Sequence, residues 1–148
     1  APRPDRVTAE LLRVSRPGGD VLMGNWTPES FVGEFFRTVA QHAPPPDMPS
    51  PLLWGDEATV RERFRAGVSD LRLTRLPYQF HHDDPPPEVV DFYCEHFGPI
   101  KQALAKLDTN GQAALRKDLL DLWARHNEAD DGATRVTGEI LEVVAIRA

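Results

Sequence analysis

The segment Leu11–Trp26, LLRVSRPGGDVLMGNW, constrains the fold more than any other. It reads as the end of a helix, a sharp break and a strand. Pro17 cannot continue a helix, and Gly18-Gly19 permit the positive φ that a reversal needs. Val21, Leu22 and Met23 then form an unbroken apolar run, which suits a strand covered on both faces, as in a parallel sheet. Such a unit belongs to the middle of a larger α/β sheet, so its place near the start of a 148-residue chain raises the question of what would flank it.

Periodicity extends the pattern. Thr8 is placed to cap a first helix, Thr8–Arg16, with Leu11, Leu12 and Val14 as its apolar residues. After the strand Asp20–Trp26, Thr27 is a candidate N-cap and Pro28 a first helical residue. Phe31, Val32, Phe35, Phe36 and Val39 repeat at helical spacing to His42. A proline-rich loop, Ala43–Asp56, follows. Asp56 caps a helix that stops at Gly67. Leu71 and Leu73 alternate with polar neighbours in a strand expected over Ser69–Phe80. Helices are then expected over Pro87–Phe97 and Ile100–Leu107, and a third from a Thr109–Gln112 capping box, with Leu115, Leu119, Leu122 and Trp123 on one face. A β-branched closing strand is expected over Thr134–Arg147.

The expected class is therefore α/β, with about three strands and inserted helices. The organisation is a single partial domain: helix–strand–helix–helix–strand over 8–80, a helical insertion or lid over 81–131, and a closing strand over 132–148. Three strands make a poor independent sheet, and a doubly wound sheet would carry more strands on the N-terminal side. An unpaired strand edge would follow, and with it a possible homodimer.

Composition narrows the function classes. The net charge is −6, and the basic residues form no stripe interleaved with aromatics, which argues against a nucleic-acid surface. No apolar run approaches the ~20 residues of a membrane span. Ala1–Glu10 lacks the apolar segment of a secretory leader, and the single cysteine, Cys94, has no partner for an internal disulfide, so a cytoplasmic setting is expected.

The order of these pieces resembles the C-terminal half of class I S-adenosylmethionine-dependent methyltransferases, most nearly the menaquinone/ubiquinone type. Leu11, Leu12, Arg16, Pro17, Gly18 and Gly19 match a helix ending in Leu-x-x-x-x-Arg-Pro-Gly-Gly that leads into the fifth strand of that family. GDEATVRERFRAGVSDLRLTRLPYQF is similar to its next helix and sixth strand, and EILEVVAIRA to its closing strand. The resemblance implies a Rossmann-like sheet and an enzyme that methylates a small molecule. It also implies that the S-adenosylmethionine site, a Gly-rich loop and a ribose-holding acid, lies in an absent N-terminal half of roughly 100 residues. No GxGxG occurs here, and Gly18-Gly19 enters a strand instead of leaving one. This chain would carry the acceptor side and be inactive alone, with no cofactor-binding residue of its own.

Ligands of open α/β sheets lie beyond the carboxyl ends of the strands. Asn25, Trp26 and Thr27 occupy that position and are the first substrate-binding candidates, with Phe31 and Tyr78 beside them. Phe92, Tyr93 and His96 share a helix face by i, i+3 and i+4 spacing and would suit a flat apolar acceptor. No catalytic residue is singled out. His81, His82, Asp83 and Asp84 cannot converge on one ion from an extended chain and read as a solvated loop, so no metal is expected. The alternative reading is a non-catalytic α/β module that binds an apolar ligand or another polypeptide.

Overall fold

A computed structural model describes residues 3–45 and 47–148. In order they form α1 (Pro4–Val14), β1 (Asp20–Trp26), α2 (Phe31–His42), a short 3-10 turn (Pro51–Trp54), α3 (Glu57–Arg63), β2 (Val68–His82), α4 (Pro86–His96), α5 (Gly98–Leu104), α6 (Thr109–His126) and β3 (Thr134–Arg147). The chain divides into two compact units. The first comprises 1–30, 47–77 and 139–148, and the second 31–46 and 78–138. The expected α/β class holds, and β3 spans the expected residues.

Several boundaries differ for local reasons. Helix α1 begins a turn before Thr8, because Pro4 presets the helical φ and Asp5 favours the positive end of the dipole. Thr8 is buried inside the helix, and its hydroxyl donates to the Pro4 carbonyl at 3.3 Å. Helix α2 starts at Phe31, three residues after Pro28. Asp56 caps α3 as expected and accepts from the Thr59 N–H at 2.8 Å, but α3 ends at Arg63. Gly67 adopts φ +81 further on. At α6 the cap is Asp108, which accepts from the Gly111 N–H at 2.8 Å. Gln112, expected to complete a box with Thr109, instead donates its side-chain amide to the carbonyls of Leu104 and Leu107. The proline-rich loop holds the 3-10 turn, capped by Ser50, and Pro46 of that loop lies outside the described residues.

The three strands form one antiparallel sheet in the order β1-β3-β2. Strand β1 pairs with β3 from Asp20↔Ile146 to Trp26↔Ile140, with Leu22 opposite Val144. The parallel ladder expected for β1 is therefore not what it forms. Nor is it covered on both faces, because Val21 is buried while Leu22 is 70% exposed. An apolar run does not distinguish one-sided from two-sided cover, since pairing direction and cover are set by distant chain. Along β3, Thr134, Val136 and Gly138 are buried, then Leu141, Val143 and Ala145. The alternation changes phase once between Gly138 and Leu141, as it does where a bulge adds a residue.

In the first unit, Val21, Leu141, Val143 and Ala145 form a floor under Trp54, Val60 and Phe64. Val7, Leu11 and Leu12 of α1 pack on the same cluster, as do Leu71 and Leu73 of β2. Each fully buried large side chain here contributes about 1.5–3 kcal/mol. The Arg63 guanidinium lies 4.1 Å from the Trp54 ring centre, and burial lowers its pKa. The second unit packs α2, α4 and α5 against α6, whose Leu115, Leu119, Leu122 and Trp123 are all buried, as their spacing predicts. Among the described residues no helix is long and apolar enough to cross a membrane.

Candidate functional site

In the first unit the candidates form the corner that leaves β1. Asn25 lies opposite Leu141 and Trp26 opposite Ile140. Thr27 is fully buried. Its backbone N–H donates to the Glu139 carbonyl at 3.1 Å, and its hydroxyl points to the same oxygen at 3.5 Å. The Ser30 hydroxyl donates to the Thr27 carbonyl at 3.1 Å. Thr27 is thus a corner post held by β3 and not the cap of α2. Asn25 is half-buried, and its Nδ2 is buried without a hydrogen-bond partner among the described residues.

Arg75 anchors the charge around this corner. It donates to Glu57 and Glu139, each at 2.9 Å, and lies 3.5 Å from Glu29. The hydrogen bonds to Glu57 and Glu139 raise its pKa further above the usual arginine value. The three carboxylates are thereby engaged with a permanent cation.

The Gly18-Gly19 turn is held to β3 through its backbone. Gly18 adopts φ +72, and its N–H donates to the Arg147 carbonyl at 2.9 Å. The Gly19 N–H donates to Arg16, and the Gly19 carbonyl accepts from Arg147. Its backbone groups join the turn to the end of β3 and leave no cradle, so the residues of this turn do not fit a cofactor loop.

In the second unit the candidates gather around Trp123. Phe31, expected to bind substrate, is buried, with its ring 4.7 Å from that of Trp123. Tyr78 is 47% exposed, and its ring lies 5.1 Å from Phe80. On α4, Phe92 is 54% exposed with its ring 4.8 Å from His96, itself exposed. Tyr93 turns inward to rings of Trp123 at 5.2 Å and Phe97 at 5.9 Å, and burial raises its pKa. The expected shared face thus divides into an outer pair and an inner ring.

His82 was missed. The sequence around it, HHDD, reads as a solvated loop, but His81 and His82 close β2. His81 is exposed and 3.6 Å from Asp83, while His82 is half-buried against the rings of Trp123 at 5.9 Å and Tyr93 at 5.8 Å. A signal existed: Tyr78, Phe80 and His82 recur at the strand period of two, which puts three rings on one face. Among the described residues no three His, Cys, Asp or Glu side chains are grouped to hold a metal. Cys94 is buried, and burial pushes its thiol pKa up, away from the reactive thiolate.

Side-chain contacts of His42 and Glu34 join α2 to α6 in this unit. His42 Nε2 is 2.7 Å from Asp118. Glu34 accepts from Arg125 at 3.0 Å and lies 3.1 Å from His126 Nε2. The hydrogen bond with His126 is the main reason its pKa is lowered.

No family model matches the chain. It is similar to the uncharacterized protein Rv1403c of Mycobacterium tuberculosis, 38% identical over 105 residues, which covers 70% of this chain and 38% of that protein. It is also similar to the uncharacterized protein Rv1405c of the same organism, 32% identical over 130 residues, covering 85% of this chain and 47% of that protein. The chain therefore spans less than half the length of these curated relatives.

Proposed function

We propose that this chain is the acceptor-side half of an S-adenosylmethionine-dependent methyltransferase that acts on a small molecule. The observation that carries the reading is the sheet's connectivity. Strands β1 and β2 both run antiparallel to β3, hence parallel to each other, and α2 and α3 lie in the connection between them. Two parallel strands of one sheet joined through helices are a building unit of α/β sandwiches, and here β3 lies between them. Strand β1 is at an edge of the three-stranded sheet, open to a further strand. Val21 and Val144 belong to one ladder, as the resemblance requires.

On this reading the cofactor is held by chain outside these residues, in keeping with the occupied backbone of Gly18-Gly19. The cofactor supplies an already activated methyl group, which leaves alignment and water exclusion to the protein. The α4–α6 region of the second unit, with Phe92, Tyr93 and His96, would seat the acceptor.

Calorimetry tests the division. A full-length relative should bind S-adenosylmethionine at micromolar concentration, and this 148-residue chain should give no heat with it. Absence of binding by full-length relatives would remove the enzyme assignment. Micromolar binding by the chain alone would remove the division of labour.

A further inference from the structure

We draw no further inference here: the strongest candidate, the outer edge of β1 with Leu22 exposed beside it, carries nothing, because nothing in the structure shows what covers it.

Discussion

A β-carbon added to Gly55 would lie 1.9 Å from the carbonyl oxygen of Trp26. The next atoms it would meet are the Trp26 carbonyl carbon at 2.5 Å and the Thr27 Cα at 2.9 Å, so only backbone stands in the way. No flexible side chain is there to yield. Gly55→Ala should therefore destabilise the chain by about 3 kcal/mol, the upper end for forced overpacking. Urea unfolding followed by far-UV circular dichroism measures it. A loss below about 1 kcal/mol would mean that the corner after β1 gives way in solution.

Leu22 and Val21 are neighbours on opposite faces of β1. Val21→Ala removes buried methyls over Leu141 and Val143 and should cost about 1–3 kcal/mol. Leu22→Thr, on the open face, should change stability by less than about 0.5 kcal/mol. A cost for Leu22 as large as that for Val21 would show the open face covered in solution.

An edge strand without a guarding charge at its centre invites pairing. Strand β1 reads DVLMGNW, with its only charge at Asp20. The isolated chain should self-associate with rising concentration, measured by light scattering across a dilution series. Leu22→Lys should shift it toward monomer, whereas association unchanged by Leu22→Lys would put the contact elsewhere.

Glu34 carries the pH dependence. Its folded pKa is depressed, chiefly by the hydrogen bond with His126. Its stabilisation is therefore complete above the unfolded glutamate value, about pH 4.3, and is lost as pH falls through the lower folded value. Glu34→Gln should flatten the acid limb of the stability profile below about pH 4.5 and leave its shape at neutral pH unchanged. An acid limb identical in the two proteins would mean that the pair with His126 does not persist in solution.

Thr134 is fully buried, and its hydroxyl donates to the Asp84 carbonyl at 2.8 Å. Thr134→Val keeps the shape and removes the donor, at a cost of about 1 kcal/mol. Chemical denaturation at neutral pH resolves a change of that size. A neutral result would mean that water satisfies Asp84.

The candidate site was legible in part. Helical spacing, which is local, places Phe92, Tyr93 and His96 together on one helix, α4. Even so, spacing could not tell which ring faces out, and Tyr93 alone turned toward Trp123. His82 escaped notice because its neighbours in sequence, His81, Asp83 and Asp84, suggest solvent. Its aromatic surroundings come from α4 and α6, and only the period-two series with Tyr78 and Phe80 pointed that way. Among the described residues the Trp123 Nε1 is buried without a hydrogen-bond partner, and this has no sequence signature, since satisfaction of a donor depends on every atom packed around it.

What the amino-acid order determined is short-ranged. It set which segments are helices and strands, the full span of β3, the buried face of α6 and the Asp56 cap. These rest on capping, φ preference and hydrophobic period, which act within a few residues. Tertiary structure alone decided that β3 lies between β1 and β2, that the sheet is antiparallel, and that Leu22 is open while Val21 is covered. Strand partners such as Leu22 and Val144 are brought together from opposite ends of the chain, and both pairing directions use the same backbone donors and acceptors. The choice between them is made by which apolar faces can be buried together, a property of the assembled core and not of any one segment.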